Sequence, residues 1–309
     1  MKYLITIVGP TAIGKTSLSV ELANYFNCEI ISCDSRQFYK EMKIGTATPS
    51  DSELEAATHH FVQNKSIFEN YTVGDFEKEA ITKLEELFLK NDFAIVVGGS
   101  GLYVDAILKG FDEFPEVNPI IRQQINSNYE KLGIEYLQQQ LKVLDPSYFE
   151  ALAVNNPQTL QNPQRMMRFV EVCTGCGKPY SSFLNQKQNS RNFIPILIGL
   201  DAEREIIYNR INSRVDSMIN EGLLEEARNL FQYKDLNALQ TVGYRELFRF
   251  MDGEISLDFA IDEIKKNTRR FSKRQLTWFK RNHNIRWFDY KTAVDGIISY
   301  VNLKKQSAV

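Results

Sequence analysis

The sequence predicts an α/β fold: a parallel sheet flanked by helices and interrupted by an all-helical insertion. Three features predict it. Short, nearly continuous apolar runs alternate with stretches of helical periodicity, the pattern of strands buried on both faces of a parallel sheet. The first of those runs ends in a glycine-rich turn that opens a helix. The long gap between the third and fourth runs holds no such strand, only helical segments rich in Gln, Asn and Arg.

Tyr3–Val8 is the first strand, stopped by Gly9-Pro10, and Ser17–Phe26 follows as a helix with Leu18, Leu22 and Phe26 four residues apart. Glu29–Cys33 is the second strand and ends at Asp34. Phe76–Lys90 sets Phe76, Ala80, Leu84, Leu87 and Phe88 on one helical face, and Phe93–Val97 is the third strand, ending at Gly98-Gly99. Ile194–Gly199 gives the fourth, with Asp201 placed to cap the next helix, and Ile285–Phe288 the fifth. From Asn118 to Gln188 the chain reads as a helical insertion with Pro115, Pro119 and Pro179 at its margins. The expected organisation is therefore a core at 1–117, an insertion at 118–190 and a second core segment at 191–309 that carries a basic C-terminal helix. The last few residues are expected to fray.

At 309 residues the chain suits about two domains. Hydrophobic residues at 43% and charged residues at 25% exclude disordered, collagenous and coiled-coil classes. With 37 Lys and Arg against 39 Asp and Glu, the chain is no polycation that coats nucleic acid by bulk charge, although a local basic patch stays open. Four cysteines and no secretory signal point to a reducing cytoplasm. The apolar run Leu4–Val8 is far short of the roughly 20 residues that span a bilayer. Cys173 and Cys176 have no second pair or nearby His to complete a zinc site, so they read as structural or incidental. His59, His60 and His283 are scattered and read as neither catalytic nor metal-bound.

Gly9-Pro10-Thr11-Ala12-Ile13-Gly14-Lys15-Thr16 fits the phosphate-loop pattern G-x-x-x-x-G-K-[ST] at every position and sits between a strand and a helix. The core is therefore P-loop NTPase-like. Glycines let backbone N–H groups face phosphate oxygens, and the helix N-terminus adds positive potential. Lys15 supplies a mobile charge, and Thr16 a hydroxyl for Mg²⁺. The loop alone means phosphate or diphosphate. Most proteins that carry it bind nucleotides, ATP included, and hold the metal with a second, strand-borne acid. Here the strand Phe93–Val97 leads into Gly98-Gly99-Ser100-Gly101, with no acid at its tip.

Asp34 is the acid best placed beside the loop, since sites in open α/β sheets gather at the carboxyl ends of strands. It could deprotonate an acceptor in a kinase or in any enzyme that activates a nucleophile against a diphosphate-bearing donor. It could equally cap the turn after its strand. Farther on, residues 265–286 carry Lys265, Lys266, Arg269, Arg270, Lys273, Arg274, Lys280, Arg281 and Arg286 and no acid. Ile261, Ile264, Phe271 and Trp278 recur at intervals of three or seven, so one helical stripe can pack on the core while cations line the other faces. A stripe of one sign suits a polyphosphate backbone, the alternative being a solvated face.

Taken together, the loop, Ile31 to Tyr39, Ile44 to Ala47, Val97 to Tyr103, Asn162 to Arg165 with Arg168, Val242 to Arg245, and Thr268 to Trp278 form a recognisable set. The chain resembles the tRNA dimethylallyltransferases, also called tRNA isopentenyltransferases, over nearly its whole length. That resemblance implies transfer of a dimethylallyl group from dimethylallyl diphosphate to N6 of adenosine 37, in tRNAs that read codons beginning with U, with release of diphosphate. Thr11, Lys15, Thr16 and Arg214 would hold the diphosphate together with Mg²⁺. On spacing alone Arg214 could instead be a surface cation paired with Asp216.

The resemblance also makes Asp34 the acceptor of the N6 proton. Asp34, Ser35, Arg36 and Gln37 would read the adenine, with Gln37 pairing both a donor and an acceptor position, once the base has left its stack. Ser100 stands where the family commonly has threonine and keeps the hydroxyl near the reacting centre. Arg122, Gln164, Arg165, Met166, Met167 and Arg168 in the insertion match positions that meet the anticodon stem-loop. Gln240, Thr241, Val242, Gly243, Tyr244 and Arg245 match another contact segment, and Arg269 and Lys273 would face the tRNA from the basic helix. A monomer in the bacterial cytoplasm is the expected form. Three alternatives stand beside this reading: a small-molecule kinase using ATP, an adenylate isopentenyltransferase acting on free nucleotide, and an RNA-binding protein with an inactive loop.

Overall fold

The computed structural model describes residues 1–184 and 191–307. Two compact units divide it, residues 1–110 with 191–309 and residues 111–190. The larger begins with β1 (Tyr3–Val8), α1 (Lys15–Phe26), β2 (Ile30–Ser32), α2 (Asp51–Ala56), β3 (His59–His60), α3 (Val73–Lys90), β4 (Phe93–Gly98) and α4 (Gly101–Lys109). The smaller holds α5 (Pro119–Leu144), α6 (Pro146–Asn155) and α7 (Pro163–Cys176). The chain then returns through β5 (Ile194–Asp201), α8 (Arg204–Asn220), α9 (Leu223–Leu230), α10 (Tyr244–Met251), α11 (Leu257–Phe279), β6 (Arg286–Asp289) and α12 (Val294–Gln306).

Six parallel strands form one sheet in the order β3-β2-β4-β1-β5-β6, with β1 and β4 central. Alternate residues of β1 serve opposite faces. Tyr3, Ile5 and Ile7 pack with Leu18 and Leu22 of α1, Ile207 and Ile211 of α8, and Ile297 and Val301 of α12. Leu4 and Val8 pack with Phe76, Ala80 and Leu84 of α3 and with Val104 and Ile107 of α4. Both faces are thus dry, which is why every residue of β1 is buried. Helix α3 starts at Thr72, whose hydroxyl accepts from the Asp75 N–H while the Asp75 carboxylate accepts in return. Fully buried Phe76 anchors it, and Phe76→Ala would cost about 3–5 kcal/mol. A third cluster joins α8 to α11 around Leu223, Leu239, Tyr244, Leu247 and Ile264.

In the smaller unit, α5 bends at Gly133 (φ 74°) so that Ile125, Leu137 and Leu141 meet Met166, Phe169 and Val170 of α7. Residues before α5 cluster with this unit. Phe114 stacks on Tyr180 at 4.8 Å, and the Val117 side chain covers Gly175 too closely for a Cβ. The first division therefore falls after Gly110, ahead of the expected 117. Of the expected helical segment, residues 185–188 lie outside the described residues, as do the last two of the C-terminus.

Three expectations change. Asp201 ends β5 and caps nothing: one carboxylate oxygen accepts from the N–H of Ala202 and the other pairs with Lys280 at 2.8 Å, while α8 starts after Glu203 with no side-chain cap. β3 is a sixth strand of only two residues, too short to show a period. The basic stretch is not one helix, because α11 ends at Phe279 and leaves Lys280, Arg281 and Arg286 beyond it. Within α11 the fully buried positions are Ala260, Ile264, Ser272, Gln275 and Phe279, so Ile261, Phe271 and Trp278 are only partly covered.

Candidate active site

The phosphate loop runs from β1 into α1. A Cβ at Gly9 (φ 150°) would lie 2.5 Å from the Leu200 carbonyl oxygen of β5, so only glycine lets the loop leave the sheet here. Ala12 adopts φ 66°, an uncommon conformation for a residue with a side chain, and the Nε of Arg210 from α8 pins its carbonyl at 2.7 Å. The Thr11 N–H donates to Oε1 of Gln275 at 2.9 Å. Lys15 donates from Nζ to the Pro10 carbonyl at 2.8 Å. Burial, reinforced by the charge of Arg214 and opposed by Asp34, lowers the Lys15 ammonium to about 7. Thr16 lies in the first turn of α1, and among the described residues its hydroxyl has no hydrogen-bond partner.

Asp34 follows β2, and its Oδ1 accepts from the Arg36 N–H at 3.0 Å. Turn-capping and a place in the cleft are therefore both true of it. Burial raises its carboxyl above the ordinary range against the opposing pull of the Arg36 N–H and Lys15. Ser100 Oγ accepts from the Ser35 N–H at 3.1 Å and lies 3.2 Å from Ser35 Oγ, which ties the end of β4 to the end of β2.

Two cavities meet at these groups. One is lined by Thr11, Ala12, Asp34, Ser35, Arg36, Gly45, Thr46, Ala47, Arg214, Gln240, Thr241, Val242, Gly243, Arg245 and Arg274. The other is lined by residues 12–17 of the loop with Arg210, Arg214, Glu53 and Glu221. Ala12, Ala47, Arg214 and Met218 belong to both. Arg214 is thus no surface cation paired with Asp216, whose carboxylate is taken by Lys265 at 2.6 Å.

The wall at residues 44–47 has its own anchors. Glu226 of α9 accepts from the N–H groups of Ile44 and Gly45, both at 2.8 Å, and from the Tyr244 hydroxyl at 2.6 Å. The Tyr244 ring fills the space under Gly45, where a Cβ would lie 2.5 Å from the ring. Gln37 donates to the Ala47 carbonyl at 2.8 Å and accepts from the Ser32 hydroxyl at 3.1 Å. The Gln37 amide is engaged with these two groups and so braces the wall. One expectation falls here. Tyr244 is fully buried and acts from beneath the surface.

In the helical unit, Gln164, Arg165 and Arg168 line a shallow cavity with Tyr148, Phe169 and Tyr180. Arg122 and Arg168 share the Glu171 carboxylate at 3.2 and 3.4 Å. Met166 is fully buried, so its side chain is not free to meet a ligand, while Met167 packs on the same core and stays partly exposed. On α11, Arg269 donates to Asn212 at 2.7 Å and lies over the Tyr208 ring, while Lys273 is exposed. Glu226, Gln275 and Arg210 were not foreseen, since each acts on the site through a backbone group that no local pattern marks.

A phosphate loop beside a buried carboxylate, with an arginine at the meeting of two cavities, defines a P-loop NTPase-like protein built for group transfer. The family pattern described as IPP transferase matches residues 37–282. A tRNA dimethylallyltransferase of Flavobacterium johnsoniae is 73% identical over 98% of this chain and 99% of its own length. One from Bacteroides fragilis is 44% identical over 97% of each. Among solved structures, the tRNA isopentenylpyrophosphate transferase of Bacillus halodurans superposes with a TM-score of 0.71 at 33% identity, covering 100% of this chain and 99% of that one. A eukaryotic dimethylallyltransferase acting on tRNA superposes at 0.70 and 26% identity, covering 94% of this chain and 74% of its own. The chain belongs to the IPP transferase family of tRNA dimethylallyltransferases.

Proposed function

We propose that the protein transfers the dimethylallyl group of dimethylallyl diphosphate to N6 of adenosine 37 in tRNA. The observation that carries this reading is the pair of cavities meeting at Arg214, one lined by the phosphate loop and the other by Asp34 and the segment 240–245. The first suits a diphosphate and the second a flipped base. N6 attacks the allylic carbon, the carbon–oxygen bond breaks, diphosphate leaves, and the N6 proton passes to Asp34. The N6 lone pair is delocalised into the ring, so the carboxylate helps as the new bond forms. Lys15 and Arg214 meet the charge that accumulates on the leaving group.

Magnesium fits the loop, because Mg²⁺ binds through one or two protein oxygens while substrate phosphates and waters complete its shell. The partner-free Thr16 hydroxyl is such an oxygen, and the ion would neutralise leaving-group charge. Arg122, Gln164, Arg165 and Arg168 of the helical unit, with Arg269 and Lys273 of α11, are assigned to the sugar-phosphate chain of the anticodon stem-loop. A monomer is the proposed form. Among the described residues no helix is long and apolar enough to cross a membrane, and the cytoplasm, where tRNA is found, is the assigned compartment.

The test is an assay with dimethylallyl diphosphate, Mg²⁺ and either unmodified tRNA carrying adenosines at 36, 37 and 38 or AMP. Prenylation of the tRNA is expected. Preference for AMP, or ATP turnover without tRNA, would overturn the reading.

A further inference from the structure

Gln275 lies 5% exposed on α11, a helix whose outer faces carry cations. Its Oε1 accepts from the Thr11 N–H at 2.9 Å and its Nε2 donates to the Gly99 carbonyl at 3.0 Å. A buried amide packs no better than an apolar side chain of its size, so helix packing alone gives no reason for it. The space around it is shaped to fit, since a Cβ on Gly99 would collide with Nε2.

Peptide planarity shows what the two bonds do. In a trans peptide the N–H and C=O point in opposite directions. Holding the Thr11 N–H toward Gln275 therefore turns the Pro10 carbonyl the other way, and that carbonyl is the acceptor of Lys15 at 2.8 Å. Holding the Gly99 carbonyl likewise fixes the orientation of the Gly99–Ser100 peptide, and Ser100 carries the hydroxyl bonded to Ser35 beside Asp34. The preceding residue on α11, Arg274, lines the Asp34 cavity itself.

The geometry points to Gln275 as a positioning residue for the transfer: one amide that orients the Pro10–Thr11 peptide at the donor site and the Gly99–Ser100 peptide at the acceptor site. It rests on the transferase reading above. Misplacement of reacting groups by about 1 Å costs on the order of a hundredfold in rate, so small rotations of either peptide are enough to be measured.

Gln275→Met keeps the length and removes both bonds, and Gly99→Ala displaces the amide while leaving Gln275 in place. Steady-state transfer, tRNA affinity and melting are measured for each. The expected result for both variants is a tenfold to hundredfold fall in kcat with a raised KM for dimethylallyl diphosphate and a tRNA Kd within about twofold of the parent. Gly99→Ala added to Gln275→Ala should slow that variant no further, because the clash is gone. A folded Gln275→Met protein with kcat and diphosphate KM near the parent's overturns the proposal, as does loss of melting temperature with intact kinetics. If Gln275→Met does not fold, Gly99→Ala decides on the same criteria. Absence of transfer by the unaltered protein would instead remove the transferase reading.

Discussion

Replacing Asp34 by Asn separates what the carboxyl does for the reaction from what it does for the fold. Asn keeps the side-chain size and an oxygen for the Arg36 N–H, now 3.0 Å away, so the turn after β2 should survive. What is lost is the proton acceptor. General-base catalysis contributes about 10²- to 10⁴-fold, or about 3–5 kcal/mol at 1.36 kcal/mol per decade. Single-turnover transfer should fall by that factor while tRNA Kd moves by less than about threefold. The fold should respond in the opposite sense. Burial raises the Asp34 carboxyl, so the folded state holds that proton more tightly than the unfolded chain does. Stability is then lost as pH rises from the ordinary carboxylate range through the raised value. Asp34→Asn should therefore melt no lower than the parent at neutral pH, with the difference vanishing below about pH 4. The parent's kcat/KM should fall tenfold per pH unit on an acid limb lying above the usual aspartate range, and the variant should lack that limb. A variant that turns over within tenfold of the parent would refute the base assignment, and one that melts well below the parent at pH 7 would refute the stability argument from the raised carboxyl.

Lys15 sits at about 7 in the ligand-free site, and a bound diphosphate should restore it toward its ordinary value. Binding of dimethylallyl diphosphate at pH 8.5 should thus take up close to one proton, read by calorimetry in two buffers of different ionisation heat, and Lys15→Met should abolish the uptake. Glu226→Ala leaves three donors without their acceptor, at about 1–3 kcal/mol each and less than additively, so urea unfolding should show about 3–6 kcal/mol lost. Tyr244→Phe, which keeps both backbone bonds to Glu226, should lose only about 1 kcal/mol. Lys273→Ala should reduce the salt slope of tRNA binding by about 0.7–0.9 with melting unchanged. Arg269→Ala should reduce the slope similarly and also lower melting, because it breaks the bond to Asn212.

What was legible in the sequence follows from the range of the forces involved. The strands and the helices at α1 and α3 show themselves because burial on a period of two or 3.6 leaves a local trace, and the phosphate loop because its backbone conformation restricts which residues can stand at Gly9 and Gly14. Asp34 was legible for a related reason, since the end of a strand beside that loop is a position the topology itself supplies. Tyr244 and Met166 were misread because a motif marks the segment near a ligand without saying which of its side chains point inward. Gln37 and Tyr244 hold the wall that other residues present. Glu226 and Gln275 left no trace because each earns its place by bonding to backbone far away in the chain, and a backbone N–H or carbonyl has no sequence signature. The nine cations of 265–286 show the same limit for charge. Lys265, Lys266 and Lys280 pair with Asp216, Glu263 and Asp201, all of which lie outside the stretch, so the field offered to a polyphosphate is weaker than the local count implies. Of the two positions assigned there to tRNA, exposed Lys273 is the cleaner test of the electrostatic role, because Arg269 also joins α8 to α11.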